Sequence, residues 1–157
     1  MGEMMSATPA ELLASFKRLG KEFADLANSV PATQLNESSG PDQWSAAYII
    51  HHMADGDLHF ATRYLHILAA EKPQIIAFNE EEYPERTNYA DRDAQASLAC
   101  FVGTHRLIED VLSHASDSDW NRVGMHFELG EVTLKDVFAK AVGHTEAHIG
   151  QLRETLG

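Results

Sequence analysis

Two histidines near the C-terminal end of the chain have a spacing that suits metal binding. His144 and His148 are four residues apart, and on a helix this separation places both imidazoles on one face, one turn apart. Neutral imidazoles are good ligands for divalent metals, and a third ligand from another part of the chain would complete a site. Thr145 follows His144, so the Glu of the H-E-x-x-H motif is absent and a zincin protease is disfavoured. The alternative is an unrelated pair, with one histidine in the core and one at the surface.

The segment that carries this pair has the pattern of an amphipathic helix. Thr133 and Asp136 resemble a capping box at its start, with Asp in place of the usual Glu. Apolar side chains then recur at steps of three and four residues, at Leu134, Val137, Phe138, Ala141, Val142, Ile149, Leu152 and Leu156. Both histidines lie at the edge of this apolar stripe, so we expect their side chains to point into the protein.

A second helix, predicted over residues 44–70 with Ser45 as its N-cap, carries a row of polar side chains. The members of this row follow one another at steps of four and three residues along one face, and they are Tyr48, His52, Asp55, His59, Thr62 and His66. One interpretation is a polar wall that faces a cavity inside a helix bundle, with His52 nearest to a metal. The other is a solvated helix face, which we favour for His66. His51 lies about 100° round the helix from His52, so both cannot easily bind the same ion.

The remaining periodic segments complete a set of four long helices. A Thr-Pro-x-Glu start predicts a first helix over residues 9–28, and Asp91 can cap a third helix over residues 91–114. Residues 71–92 and 116–132 have no sustained period and are predicted as connections, the former with room for one helical turn. We therefore expect an all-α fold in the form of a four-helix bundle, and such bundles hold metals inside, on side chains of facing helices.

The composition limits where the chain works and what it binds. Its 157 residues suffice for a single domain with a sizeable core, which we predict over residues 1–157. The formal net charge is −12, so binding to a nucleic acid or to an anionic membrane is disfavoured. Cys100 is the single cysteine, which excludes an internal disulfide and fits the reducing cytoplasm. No apolar run approaches the length of about 18 residues that a membrane helix needs.

Three motifs stand in a consistent order along the chain. The first motif is Trp44-Ser45, followed eight residues after the tryptophan by His52-Met53-Ala54-Asp55. The second, in the middle connection, is Ile76-Ala77-Phe78-Asn79-Glu80-Glu81. The third is Gly130-Glu131-Val132-Thr133-Leu134, which leads into His144-x-x-x-His148-x-x-Gln151. Together they resemble the DinB superfamily, and most of all its YfiT-like branch of metal-dependent hydrolases and thiol transferases. The resemblance covers nearly the whole chain.

The resemblance implies a fold, a metal site and a class of activity. Members of the family are four-helix bundles, often homodimers, with one metal ion on three histidines, and the matching positions here are His52, His144 and His148. Zinc or nickel is the typical ion, and some branches join a low-molecular-weight thiol to an electrophile. The resemblance thus implies a metal-dependent thiol S-transferase or hydrolase that acts on a small molecule. The alternative is a non-catalytic, dimeric ligand-binding or interaction bundle with a vestigial metal site.

Two further side chains are candidates for roles beside such a metal. Three imidazoles leave coordination positions open, as in catalytic rather than structural sites, and a bound metal lowers the pKa of water or of a thiol. Asp55 is one turn from His52 and His59 is two turns away, so either could orient a ligand, act as a general base or add a further ligand. A plain polar helix face is the alternative for both. Cys100 lies in an apolar helix pattern and is not expected to be the nucleophile.

Overall fold

Four long helices account for most of the chain in the computed structural model, which describes residues 6–40 and 43–157. Along the chain the elements are α1 (Pro9–Ser29), α2 (Ala46–Ala69), β1 (Gln74–Ile75), α3 (Tyr83–Arg86), α4 (Ala94–Ser113), α5 (Asp117–Trp120), β2 (Val123–His126), β3 (Gly130–Thr133) and α6 (Leu134–Leu156). The four-helix bundle expected from the sequence is confirmed, with a small sheet as an addition. Of the predicted 1–157 domain, residues 1–5 and 41–42 lie outside the described residues.

Side-chain caps determine where three of the long helices begin. At α1 the Thr8 hydroxyl accepts a hydrogen bond from the backbone of Glu11, whose carboxylate accepts one from the Thr8 backbone in return. Thr133 and Asp136 form the same reciprocal pair at α6, and Ser45 caps α2 by accepting from the N–H three residues on. Each such cap contributes about 1 kcal/mol to helix stability. Because caps depend on local spacing, these three predicted starts are confirmed.

The start of α4 differs from the prediction. Asp93, not Asp91, is the N-cap, and its carboxylate accepts a hydrogen bond from Gln95 N–H at 2.9 Å. Asp91 belongs to a turn in which its own N–H donates to Asn88 O at 3.2 Å. Arg92, between the two aspartates, is held by an ion pair to α2, so the helix begins only after it.

The packing of the long helices brings α2 and α6 side by side. α2 packs against α4 and α6, and α1 packs against the same two helices, so α1 and α2 lie at opposite corners of the bundle. The core contains large buried side chains from all four helices, among them Phe16, Phe23, Ile50, Met53, Tyr64, Phe101, Ile108, Phe138 and Leu152. Full burial of each such side chain contributes about 1.5–3 kcal/mol, and this fixes the faces that α2 and α6 turn to each other.

His105 of α4 is a buried polar group within this core. Its Nε2 donates to Phe16 O at 2.9 Å, its Nδ1 lies 3.0 Å from Asp57 Oδ2, and its ring stacks on Phe16 with centroids 3.5 Å apart. Gly20 makes room for the ring, because a Cβ at that position would lie 2.2 Å from Nε2. Both ring nitrogens are therefore engaged in the core, and this histidine takes no part in the candidate site described below.

A three-stranded sheet occupies part of both predicted connections, and the sequence pattern did not reveal it. β1 pairs with β2 in parallel, and β2 pairs with β3 as an antiparallel hairpin. Gly124 of β2 allows the sheet to approach α2 closely, because a Cβ there would lie 2.9 Å from Ile75 and 3.1 Å from Ile67. Strands of two to four residues are too short for an alternating pattern to show.

Two features bear on where the chain works. Within residues 6–40 and 43–157, no helix has the length and apolar character needed to cross a membrane. Cys100 is a half-buried free cysteine whose Sγ lies 4.0 Å from Thr104 Oγ1, as the apolar pattern around it predicts. A cytoplasmic location stays a prediction.

Candidate metal centre

Three histidines from two neighbouring helices converge at one point of the bundle. His52 comes from the buried face of α2, and His144 and His148 come from successive turns of α6. The Nε2 atom of His144 lies 3.0 Å from that of His52 and 3.2 Å from that of His148. One ligand atom from each of the three lies within 4.8 Å of the others. The structure thus brings together the three residues that the sequence predicts as metal ligands.

The spacing of these nitrogen atoms fits one shared divalent ion. Imidazole nitrogens bind such ions at about 2.0–2.1 Å, so two ligands of one ion are about 3.0 Å apart at a right angle and about 3.4 Å apart at a tetrahedral angle. The observed separations of 3.0 and 3.2 Å fall between these values. Without a cation, the three Nε2 atoms would face one another, and there would be too few ring protons between them to form a hydrogen bond at every contact. The donor set therefore fits a metal bound by three histidines.

The protonation of the cluster also suits metal binding. Burial, and then the proximity of His148, lowers the pKa of His52 to about 4. Burial, and then the charges of His148 and His52, lowers the pKa of His144 to about 3. Burial lowers the pKa of His148 as well, against the opposing effects of Gln151 and Glu80. At neutral pH the imidazoles are neutral, which is the form that binds metals.

Gln151 fixes the orientation of one ligand. The Nδ1–H of His148 donates to Gln151 Oε1 at 2.7 Å, so Nε2 of the same ring carries the free lone pair that faces the cluster. A partner on the outer nitrogen is the usual means by which proteins orient a metal-binding imidazole. The H-x-x-x-H-x-x-Q spacing places this amide one turn from the ring it holds.

Aromatic side chains enclose part of the cluster. The Trp44 ring makes an edge contact with His52, with ring centroids 5.1 Å apart, and lies parallel to the His148 ring, with centroids 6.1 Å apart. The ring centroid of Phe60 lies 5.9 Å from that of His144, and the ring centroid of Phe78 lies 6.3 Å from that of His52. These rings replace water around the ligands, which strengthens electrostatic interactions inside the site.

Glu80 is the carboxylate that reaches the cluster. Its Oε2 lies 3.8 Å from His52 Nε2, although its side chain is 58% exposed. It belongs to the connection between α2 and α3, where the sequence pattern alone indicated a solvated acidic run. The sequence did contain one signal that Glu80 lies near the site, because Glu80 is part of the Ile76–Glu81 motif on which the family resemblance rests.

Asp55, a predicted catalytic residue, is occupied by other partners. Arg92 Nη1 donates to Asp55 Oδ2 at 2.8 Å and Arg92 Nη2 donates to Oδ1 at 2.7 Å. The hydroxyl of Tyr89 donates to Oδ2 at 2.8 Å, and burial with this carboxylate raises the pKa of Tyr89. These contacts attach residues 89–92 to α2. A catalytic role for Asp55 stays a prediction. In this structure both of its carboxylate oxygens accept hydrogen bonds that anchor residues 89–92.

His59, the other predicted catalytic residue, lies beside the cluster rather than in it. Its Nε2 is hydrogen-bonded to Tyr83 Oη at 2.6 Å, and its ring stacks on Phe78 at 4.3 Å. Burial, and then the charge of Arg63, lowers the pKa of His59. The ring therefore holds the connection against α2 in a neutral form, and its catalytic role also stays a prediction.

The other two histidines of α2 lie elsewhere. His66 is exposed, as favoured from the sequence. His51 is fully buried and its Nδ1 is hydrogen-bonded to Ser97 Oγ of α4 at 2.8 Å. His51 therefore faces α4 while His52 faces α6, as their separation of about 100° around the helix requires.

A cleft opens beside His144. It consists of two adjoining cavities of about 710 and 550 Å³ that share Phe60, Arg63, His126, Lys140 and His144 in their walls. We call the two together the His144 cleft. Each of the two cavities has a volume in the range of small-molecule sites, about 300–1,000 Å³. Part of its wall is the small sheet, so the sequence pattern could not predict it.

Comparison with known families identifies the family of this chain. The family model of the DinB superfamily matches residues 15–152. The chain belongs to the DinB superfamily. Among curated relatives, the "Putative metal-dependent hydrolase OB0413" of Oceanobacillus iheyensis is 20% identical over 146 residues, which cover 93% of this chain and 84% of the relative. The "Putative metal-dependent hydrolase YfiT" of Bacillus subtilis is 25% identical over 123 residues, which cover 78% and 69%.

Two solved structures agree with the observed fold. YfiT from Bacillus subtilis, described as a probable metal-dependent hydrolase with an unusual four-helix bundle topology, superposes with a TM-score of 0.85 at 20% identity. The match covers 96% of this chain and 88% of YfiT. A mycothiol-dependent maleylpyruvate isomerase superposes with a TM-score of 0.78 at 12% identity, over 95% of this chain and 62% of the isomerase. At these identities the structural matches show a shared fold.

Proposed function

We propose that this DinB-superfamily protein is a metal-dependent enzyme that transfers a small thiol to an electrophile, or hydrolyses such a substrate with water. The observation that carries the proposal is the convergence of three neutral Nε2 atoms beside an open cleft. His52, His144 and His148 would hold the ion, with zinc or nickel as the expected metal. When bound, such an ion supplies a positive charge that lowers the pKa of a coordinated water or thiol.

The residues around the three histidines divide the site into a closed side and an open side. Trp44 covers His52 and His148 on one side, and Gln151 holds the His148 ring in place. His144 forms part of the wall of the His144 cleft, so reactants can approach from there. Three protein ligands leave room for a nucleophile, which is the usual arrangement of a catalytic site.

Glu80 is our candidate for the group that accepts the proton of the nucleophile. Its Oε2 lies 3.8 Å from His52 Nε2, and none of the ion pairs among the described residues gives it a competing cation. The earlier candidate Asp55 has both oxygens bound to Arg92. The His59 imidazole is the second candidate, because it lines the same cleft.

Cys100 is half-buried on α4 and does not belong to the three-histidine cluster, so we expect the nucleophile to come from outside the chain. One point favours a thiol over water as that nucleophile. The name of the structural neighbour, a mycothiol-dependent isomerase, supports a low-molecular-weight thiol as the co-reactant. Assembly as a homodimer belongs to the same proposal.

The test is conjugation of a generic electrophile, 1-chloro-2,4-dinitrobenzene, with several low-molecular-weight thiols. We expect zinc- or nickel-loaded protein to turn over with at least one thiol and chelated protein not to. Cys100→Ser is expected to keep the rate, and Glu80→Gln to lower it while metal content stays unchanged. Turnover without any thiol would assign water as the nucleophile. Equal rates for loaded and chelated protein would instead favour the non-catalytic binding module.

A further inference from the structure

Arg63 of α2 has no carboxylate partner among the described residues. Its Nη2 donates to Ile76 O at 3.0 Å, and its guanidinium lies over Phe60 at 5.2 Å from the ring centre. Its Nε is buried and has no hydrogen-bond partner among the described residues. Burial lowers the pKa of Arg63, against a smaller opposing effect of Tyr64. In a chain with a net charge of −12, an uncompensated arginine is an unusual feature.

Arg63 lies in the wall of both cavities of the His144 cleft, together with a second cation. Lys140 is one turn before His144 on α6 and is exposed to the cleft. Within the described residues it forms no ion pair with an Asp or Glu. The cleft thus has a guanidinium on α2 and an ammonium on α6, and His144 lies in the same wall.

His126 adds a further hydrogen-bond donor to this group. Its Nδ1 accepts hydrogen bonds from the N–H groups of Glu128 and Leu129, at 3.2 and 3.4 Å. An Nδ1 that accepts leaves the ring proton on Nε2, so His126 presents an N–H to an acceptor. The residue forms part of both cavities.

The acidic residues of the cleft do not cancel these cations. Asp136 is used by the cap of α6, where its carboxylate accepts from Thr133. Glu128 and Glu146 are exposed at the rim, and Glu80 is directed to His52. No carboxylate among the described residues is within ion-pair distance of Arg63.

The rest of the larger cavity is apolar. Its wall is built mainly from aliphatic side chains of the sheet and of α6, which include Ile75, Leu129, Val132, Val137, Ala139 and Ala147. A ligand that fits this cavity has an apolar body as well as an anionic group. The fork of an arginine suits a planar carboxylate better than a point charge does.

We infer that the His144 cleft binds a carboxylate that has an apolar body, with the carboxylate on Arg63 and Lys140 and the reacting end toward the three histidines. The inference rests on the proposed function, because it names the substrate class of that same site. It explains why two cations of an acidic chain have no ion pair within the part of the chain that the structure describes. It also explains why the apolar cavity and the metal centre share a wall.

Binding to chelated protein tests this without the metal. We would measure 4-phenylbutyrate and its neutral partner 4-phenylbutanamide by isothermal titration calorimetry. A hydrogen-bonded charge pair predicts that the acid binds roughly ten- to a hundredfold more tightly than the amide. Arg63→Gln should lower this ratio, with Lys140 left to hold the remainder, and leave the affinity for the amide unchanged, which would also show that the cleft is intact. Arg63→Lys should restore part of the ratio.

The control is Arg106→Gln, which removes an exposed cation of α4 outside the cleft, and it should keep the preference for the acid. Equal binding of acid and amide to the wild-type chain would overturn the inference. So would a preference that Arg63→Gln retains undiminished, or one that appears only after zinc is added, because the metal would then hold the carboxylate. Since chelated protein is used, loss of the proposed catalytic function would leave these results unchanged, and the two ideas fail separately.

Discussion

Replacement of Arg92 by Met tests whether Asp55 is an anchor or a catalytic group. The Asp55 side chain is 8% exposed and that of Arg92 is 28% exposed. The pair is joined by two hydrogen bonds of 2.7 and 2.8 Å, and Tyr89 donates a third to the same carboxylate. Arg92→Met leaves a buried carboxylate with one donor instead of three.

The expected loss of stability follows from that burial. Removal of one partner of a buried ion pair costs about 3–5 kcal/mol. Because the Arg92 side chain is 28% exposed, water already screens the pair in part, and we expect a loss of about 2–3 kcal/mol. For a domain of this size, each kcal/mol corresponds to a Tm change of about 2–4 °C, so the melting temperature should fall by about 5–10 °C. The Asp55→Asn/Arg92→Met double variant should lose less than the sum of the single variants.

The assay is urea unfolding of both single variants and the double variant, with metal content and thiol conjugation measured on each. We expect all three to bind metal and to retain conjugation activity while they are folded. If the double variant lost as much stability as the two single variants together, the role of Asp55 as an anchor for Arg92 would be refuted. A folded, metal-loaded Asp55→Asn variant without activity would instead establish Asp55 as the catalytic base.

Two further predictions concern the cluster and the cleft. In metal-free protein, His52 and His144 stay neutral in the folded state at pH values below their unfolded pKa of about 6.5. The unfolded state therefore binds more protons, and the free energy of unfolding falls as the pH falls. Between about pH 7.5 and 5.5 the loss is about 1.4 kcal/mol for each imidazole. Urea unfolding of chelated protein measures this, and an unchanged free energy of unfolding would contradict it. A side chain at Gly143, which faces open space in the cleft wall, should fill the cavity, so Gly143→Leu should abolish binding of 4-phenylbutyrate. Gly103→Leu, at an open helical position outside the cleft, is the matched control, and equal affinities in the two variants would show that the ligand binds elsewhere.

The helices and the three histidines could be predicted because their signals are local. Capping pairs such as Thr133 with Asp136 depend on neighbouring residues, and the His144–His148 spacing is a property of one helix. His52 needed more than spacing, because its meeting with α6 depends on how the bundle packs. The family resemblance provided that step.

The cleft and the partners of Asp55 could not be predicted in the same way. In the sheet, β1 and β2 pair across a separation of 51 residues, with Gln74 paired to Met125, and no local pattern reports such a pairing. Asp55 is in the same helical row as His52, but Arg92 from the following connection binds it. Arg63 was within reach of sequence reasoning, because a residue eleven positions after His52 returns to about the same face of a helix.

The metal content of the protein tests the central claim most directly. The chain is purified without a nickel column, and divalent metals are measured by plasma emission spectroscopy. The samples are the wild type and the variants His52→Ala, His144→Ala and His148→Ala. The control is His66→Ala, which removes an exposed histidine of the same helix as His52. We predict one zinc or nickel ion per chain in the wild type and in His66→Ala, and almost none in the three cluster variants. Full occupancy in all three cluster variants, or a wild-type chain that binds no added zinc or nickel, would contradict the assignment.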